Sequence, residues 1–477
     1  MLETCYASDM TFFFYDLETS GLNARSQRIM QFAGQRTNEN FEPIGEPVNL
    51  LVKLSDDILP EPYAVMVTGI TPQATLADGI SEPELCKFLD EEVFTPGTVA
   101  LGYNSVRFDD EFIRHTFWRN FYDPYSWSYV DKRGRWDMLD VVRMTRALRP
   151  DGITWPVDDK GKPVNKLELL AKANKLLHTK AHDALSDVEA LIALTRLIKE
   201  KQPKLFDYLL AMRGKNDVAK LVNLENPQPF VYASGRYGAE HDFTTVAYPI
   251  CPGTRPNTVL VYDLRYDPSG FVGATPQALA SILFADRDQR AQEGFVALPI
   301  KEFAYNKCPA VAPLGVLDGP SQERLKLSLP ALEANRNVLM HNPAFVEAVR
   351  TAFEMREPYE QSLDVEGQLY DSFMPDGDKV KCAAVRAADA ASLADFHPTF
   401  ADERLSELLL RYKARWYPMS LGEDERTAWE TYRAQKISAV LPSYLEILQK
   451  LAETTQDTYL VKELQLWAES CMPSGEE

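Results

Sequence analysis

Apolar and polar positions follow three different rhythms along the chain. From about residue 11 to 200, short continuous apolar runs alternate with stretches of helical period. The runs predict strands at Phe12–Leu17, Arg28–Thr37, Val48–Leu54 and Thr98–Tyr103. The helical stretches predict helices near Glu82–Phe94, Asp110–Trp118, Leu139–Leu148, Leu167–Ala173 and Ala184–Lys199. Such alternation predicts an α/β domain. Between about 203 and 355 the chain changes to short β-type runs: PFVYASGRYG, FTTVAYPI, NTVLVYDLR and FVALPIKEF. Pro and Gly separate them, which predicts a small sheet or barrel with helices attached. From about 358 onward, apolar residues recur at helical spacing, as in RLSELLLRYKARWYP and SYLEILQKLAETTQD. That region predicts an all-α unit. Pro203 in KEKQPKLFDYL and the polar segment EPYEQSLDVEGQLYDSFMPDGD mark the boundaries, giving expected domains 1–201, 202–356 and 357–477.

Charge complicates this picture. The 477 residues carry a formal net charge of −19, which taken globally opposes nucleic-acid binding, because phosphate contacts draw on Lys and Arg. The basic residues are not evenly spread, however. Lys132, Arg133, Arg135, Arg143, Arg146, Arg149, Lys160, Lys162, Lys166, Lys172, Lys175 and Lys180 crowd one short stretch, whereas the C-terminal third is acidic. A locally positive groove on an acidic body competes with a mixed-sign surface of no focus. The six cysteines have no C-x-x-C spacing, which opposes a structural zinc site and a disulfide framework. The chain shows no apolar run long enough for a membrane span and no signal-peptide pattern, so a cytoplasmic protein without membrane attachment is expected.

The stretch FFFYDLETSG, Phe12 to Gly21, carries the first candidate chemistry. Its bulky run suits a strand covered on both faces. Residues two apart in a strand share a face, so Asp16 and Glu18 project together while Leu17 packs the other way. Two partly desolvated like charges are unfavourable unless a cation lies between them. Hard carboxylate oxygens suit Mg²⁺ or Mn²⁺. A strand end with two solvated acids is the competing reading of D-x-E by itself.

Two further stretches add to it. In VALGYNSVRFDDEF, a buried-strand run and a turn lead to Asp109 and Asp110 at a helix start. Capping and the helix dipole explain one of those acids easily, and both less comfortably. In AHDALSDVEALIALTRL, His182 and Asp187 stand five apart at the beginning of a helix. A lone histidine there is more often a capping or packing residue. Together, the order D-x-E on a first strand, Asp after a strand and turn, and H-x-x-x-x-D on a late helix resembles the DEDDh exonucleases of the RNase H-like group.

The segments GYNSVRFDDEFIRHTFWRNFYDPYSW, RALRPDGITWP, KQPKLFDYLL, SGRYGAEHDFTTVAYP and NKCP resemble the bacterial exonuclease I family. The resemblance implies an RNase H-like α/β exonuclease domain, an SH3-like β-rich domain and an all-α C-terminal domain. It also implies a 3′→5′ exonuclease that degrades single-stranded DNA to 5′-mononucleotides in DNA repair and recombination. By the family pattern two Mg²⁺ ions (or Mn²⁺) are held by Asp16, Glu18, Asp109 and Asp187. Asp16 bridges both, and His182 is the general base. Paired ions of this kind activate water and neutralise the leaving oxygen. Glu18, Lys166, Phe108 and Arg114 are the expected substrate contacts, with Lys166 in VNKLELL standing where the family has Arg. Among Phe108, Phe112, Tyr122, Tyr125, Trp127 and Trp136, most rings are expected in the core and one or two on DNA. The family is monomeric and binds the acidic C-terminal tail of the single-strand DNA-binding protein. Arg149 and Tyr208 match parts of that pocket. Asp318, Pro313 and Met340 depart from it, so tail binding is expected to be weakened or moved.

Overall fold

The protein is described here by a computed structural model covering residues 10–176, 184–358 and 361–472. It divides into two compact units: 1–135 with 178–192 and 361–477, and 136–177 with 193–360.

The first unit is built on strands β1 (Thr11–Thr19), β2 (Ile29–Thr37), β3 (Val48–Leu51) and β4 (Thr98–Gly102), and on the start of β5 (Gly134–Asp137). The sheet order is β3-β2-β1-β4-β5. β1 is central, antiparallel to β2 and parallel to β4. Its run Phe12–Tyr15 is buried throughout, as a strand covered on both faces requires. Gly34 on β2 makes this packing possible, because a Cβ there would lie 2.3 Å from the Phe13 ring. The helix Glu82–Phe88 continues as one wider π turn, Leu89–Val93, over the span expected as a single helix.

The C-terminal helices belong to this same unit. Trp467 donates its indole N–H to the Ile58 carbonyl at 2.9 Å, and Trp118 donates to Val365 at 3.0 Å. Two apolar cores are shared between N-terminal and C-terminal segments. Leu54, Ile58 and Val65 pack with Tyr444, Leu464 and Trp467 in one; Trp118 and Phe121 pack with Leu393, Leu405 and Tyr412 in the other. A buried ion network ties the segments further. Arg415 reaches Asp57 at 2.7 Å and Glu366 at 2.5 Å, Lys436 reaches Asp57 at 2.6 Å, and Arg28 reaches Glu366 at 2.5 Å. The segment RLSELLLRYKARWYP forms the helix Glu403–Trp416. SYLEILQKLAETTQD supplies, up to Thr454, the end of a longer helix, Glu423–Thr454, which runs through Pro442. Buried Ile437, Tyr444 and Leu448 hold it on both sides of that proline.

The second unit carries an antiparallel sheet of order β10-β6-β7-β8-β9, with β6 (Phe230–Ala233), β7 (Thr244–Pro252), β8 (Thr258–Asp263), β9 (Ile300–Ala304) and β10 (Ala310–Pro313). Its core joins Phe230, Ala247, Val259, Val261, Phe303 and Val311 to Val218 and Val222 of the preceding helix segment. Among the described residues no helix is long and apolar enough to cross a membrane.

Candidate active site

The alternation of β1 places Asp16 and Glu18 on one face, with Leu17 buried on the other. The pairing of β1 is regular up to Glu18 and shifts register between Glu18 and Thr19, where the strand ends. Asp187 comes from the first turn of the helix Ala184–Lys201. Val188, Leu191 and Thr195 are buried along that helix and fix its rotation. One carboxylate oxygen from each of Asp16, Glu18 and Asp187 lies within 4.8 Å of the others, and all three residues are half-buried.

Asp109 stands beside this trio. It opens the helix Asp109–Arg119 and is 4% exposed. The turn before it is tight. A Cβ on Gly102 would sit 2.5 Å from the Ser105 side chain, and Asn104 takes a left-handed conformation at φ 65°. The Asp16 carboxyl is pushed well above the usual carboxylate range, first by burial and then by the charges of Asp109, Asp187 and Glu18. Among the described residues, the charges acting on Asp16 are therefore all acidic.

Asp110 has a different fate from its neighbour. It accepts a 2.5 Å hydrogen bond from the Tyr15 hydroxyl and pairs with the Arg135 guanidinium. Burial and the nearby acids raise the Tyr15 pKa well above its ordinary value, so the phenol stays protonated and donates. Asp110 thus braces β1 against the helix start, and Asp109 is left for the acid cluster.

The other expected site residues are distributed as follows. His182 lies outside the described residues. Phe108 is half-buried against the core of the first unit, 5.0 Å from the Phe112 ring. Arg114 is 7% exposed, pairs with Glu111 at 3.0 Å and lies over the Tyr125 ring. Its charge is already matched within the protein. Phe112, Trp127 and Trp136 are core rings. In the second unit Lys166 is exposed at the N-cap of the helix Leu167–Ala173. Arg149 pairs with Asp318 at 3.1 Å and donates to the carbonyls of Leu148 and Val316. Tyr208 is half-buried, and burial raises its pKa.

One surface group escaped the sequence reading. Phe373 is 86% exposed, 6.1 Å from the Tyr125 ring, which also lies 6.3 Å from that of Tyr370. The only signal was two rings in QLYDSF, a segment otherwise polar enough to read as a linker.

Family models match the chain in three consecutive parts: an exonuclease model over residues 13–195, the exonuclease I SH3-like domain over 213–355, and the exonuclease I C-terminal domain over 363–471. Exodeoxyribonuclease I of Haemophilus influenzae is 38% identical over 94% of this chain and 95% of its own length. The chain belongs to the exonuclease I family. The exodeoxyribonuclease I of Escherichia coli is likewise 38% identical, over 96% of this chain and 98% of its own. A crystal structure of E. coli exonuclease I in complex with a dA16 oligonucleotide superposes with a TM-score of 0.94 at 37% identity, covering 97% of this chain and 100% of that one. A zinc-bound E. coli exonuclease I–single-stranded DNA complex superposes at 0.92. The exonuclease I member described here is thus an exonuclease. It carries an α/β exonuclease domain, an SH3-like domain and a helical C-terminal domain in that order. Its three clustered carboxylates are hard oxygen donors brought within 4.8 Å of one another, a donor set that fits a divalent metal ion.

Proposed function

We propose that this exonuclease I member hydrolyses single-stranded DNA from the 3′ end and releases 5′-mononucleotides at the Asp16–Glu18–Asp109–Asp187 cluster. The observation that carries the reading is the approach of Asp16, Glu18 and Asp187 oxygens to within 4.8 Å of one another on a rigid central strand and a packed helix. Asp16, Glu18 and Asp187 would hold divalent metal, with Asp109 beside them; two Mg²⁺ ions are the expected complement. When bound, such ions supply an activated water and neutralise charge on the leaving 3′ oxygen.

The chain's own residues do the rest. Asp16 and Glu18 are held by the pairing of β1 with Ala33 and Gln31 of β2, and β4 anchors the strand just before them, up to Phe14. The Tyr15–Asp110–Arg135 group fixes the height of Asp109 against β1. His182, five residues before Asp187 in the sequence, is the proposed general base, since an imidazole titrating near neutrality suits removal of a proton from water. Lys166 and Phe108 are proposed strand contacts, Lys166 as an exposed point charge. Tyr125, Tyr370 and Phe373 offer ring faces for bases, each stack contributing about 1–3 kcal/mol without regard to sequence. Arg114, beside Glu111 and over the Tyr125 ring, is a further proposed strand contact.

The test is a 5′-labelled single strand incubated with the protein and Mg²⁺, beside a duplex, an RNA and an Asp16→Ala control. The reading predicts a ladder shortening from the 3′ end on the single-stranded DNA, absent with EDTA and in the variant. Tight strand binding without cleavage, or trimming of RNA in place of DNA, contradicts it.

We also propose that recognition of an acidic single-strand-binding-protein tail is weak at Arg149, because Asp318 already matches that guanidinium at 3.1 Å. A labelled tail peptide should bind Asp318→Arg several-fold more tightly than the wild type. Unchanged affinity in Asp318→Arg, with loss in Arg149→Ala, contradicts this.

A further inference from the structure

The helix Asp109–Arg119 starts at an acid of the cluster, and one of its faces is tied to a single C-terminal segment. Glu111, His115 and Trp118 are spaced four and then three residues apart, which puts them on that face. The Tyr370 hydroxyl donates to the Glu111 carboxylate. His115 Nδ1 lies 3.1 Å from the Glu366 carbonyl, and the Trp118 indole N–H donates to the Val365 carbonyl. A carbonyl only accepts, so the His115 proton sits on Nδ1. Helix and segment thus run in opposite directions, the helix start against Tyr370 and its end against Val365. The segment is itself fixed. Its Glu366 carboxylate takes Arg28 and Arg415, each at 2.5 Å. Asp364 takes Arg411 at 2.5 Å and the Tyr432 hydroxyl at 2.9 Å.

The His115 and Trp118 ties are buried, each residue 2% exposed, and hold the body of the helix. The Tyr370 tie is placed differently. Glu111 lies in the same turn as Asp109, two residues on. Asp110, between them, is held by Tyr15 of β1 and by Arg135. Successive residues point about 100° apart around a helix. The turn that carries Asp109 is therefore gripped from two directions, through Asp110 by the strand side and through Glu111 by the C-terminal segment. Arg114 closes the second grip, donating to Glu111 at 3.0 Å and to the Tyr370 hydroxyl at 3.4 Å. Burial first, and then the Glu111 charge, push the Tyr370 phenol up, so it stays protonated and donates. The Asp109 charge acts on Asp16, so the place of this turn is felt in the acid cluster. We infer that Tyr370 is a positioning residue for hydrolysis: its hydroxyl, through Glu111, sets the place of Asp109 beside Asp16, Glu18 and Asp187. The C-terminal segment then completes the active site from outside the exonuclease domain. The inference rests on the hydrolytic reading of the acid cluster.

Tyr370→Phe tests it, because the ring stays and only the hydroxyl goes. Glu111→Ala removes the acceptor, and Glu111→Gln keeps one. The full-length variants are compared with the wild type by thermal unfolding, by calorimetric Mn²⁺ titration without DNA, by strand affinity in EDTA, and by kcat and KM for hydrolysis. Tyr370→Phe is expected to unfold within a few degrees of the wild type and to bind the strand equally well. Its kcat should fall about tenfold, the scale on which a misplaced group costs rate, and its Mn²⁺ affinity several-fold. Glu111→Ala should lose as much, and the double variant no more than either, since both remove one bond. Glu111→Gln should keep kcat and Mn²⁺ affinity within about twofold. Wild-type kcat and Mn²⁺ affinity in Tyr370→Phe overturn the inference. So does a loss confined to strand affinity or KM, which makes Tyr370 a strand contact only. Asp109→Asn separates the two claims. Its loss of hydrolysis beside an unaffected Tyr370→Phe sinks the inference alone; wild-type hydrolysis and Mn²⁺ affinity in Asp109→Asn sink the role of Asp109 in the cluster and the inference with it.

Discussion

The first unit holds two concentrations of carboxylates, and they are solved in opposite ways. Around Asp57, Glu82 and Glu366 the protein supplies its own cations: Arg28, Arg119, Arg411, Arg415 and Lys436. Burial alone would push the Glu366 and Asp57 carboxyls up. For Glu366, Arg28 leads the cations that outweigh it; for Asp57, Arg415 does; both end well below the usual range. Around Asp16 burial also pushes the carboxyl up, and among the described residues the charges that act on it are those of Asp109, Asp187 and Glu18. Buried acids matched by Arg and Lys are architecture, since removing one partner strands a charge. The acids gathered at Asp16 are instead a donor set that fits a divalent metal ion. The contrast separates Asp110 from Asp109 in the same way: Asp110 has Arg135 and Tyr15, whereas Asp109 adds to the charge on Asp16.

The largest effect should come from the acid cluster at Asp16. Asp16→Asn is expected to lower hydrolysis by at least ~1000-fold, the equivalent of the several kcal/mol that metal polarisation supplies. In metal-free buffer it should unfold no earlier than the wild type, because it removes one crowded charge. A large fall in its unfolding temperature would make Asp16 architectural and break the comparison. Glu366→Gln should do the reverse. It is expected to destabilise the fold by about 3–5 kcal/mol by leaving buried guanidinium groups unmatched, read by denaturant or thermal unfolding at neutral pH.

Acidity sharpens the same distinction. The folded pKa values of Asp57 and Glu366 are depressed, so their stabilisation is complete above the unfolded values of about 4 and is lost as pH falls through the folded ones. Unfolding temperature should therefore drop steadily below about pH 4, and Glu366→Gln should show a shallower acid limb. An identical limb in the variant contradicts the assignment. Tyr15→Phe should have the smallest effect of these. It removes one donor to Asp110 and is expected to destabilise by about 1–3 kcal/mol, with the hydrolysis rate kept within a few-fold.

Much of the candidate site was legible because period two is unambiguous. D-x-E at the end of a bulky run has one strand geometry, and the structure places Asp16 and Glu18 on one face. Asp187 was legible from the helical spacing of Val188, Leu191 and Thr195, all buried. What failed to show was decided by distant partners. Nothing local in FDDEF says that Asp110 meets Arg135 and Tyr15 while Asp109 adds to the charge on Asp16. β5 (Gly134–Asp137) was missed because its short run is embedded in basic residues. The helices Pro62–Thr68 and Pro72–Asp78 were missed because each starts with a proline, which reads as loop. In FVALPIKEF the strand Ile300–Ala304 takes in only the last four residues; Pro299 cannot donate to the ladder and stands just before it. The sharing of one core by Ile58 and Trp467 joins residues too far apart in sequence for any periodicity to reveal.

Titration with Mn²⁺, followed by calorimetry and by thermal unfolding on the wild type, Asp16→Asn and Glu366→Gln, tests the central contrast most directly. The account predicts that Mn²⁺ binds and stabilises the wild type, binds Glu366→Gln with the same affinity despite its lower unfolding temperature, and is not retained by Asp16→Asn. Wild-type Mn²⁺ affinity in Asp16→Asn, or its loss in a folded Glu366→Gln, would contradict it.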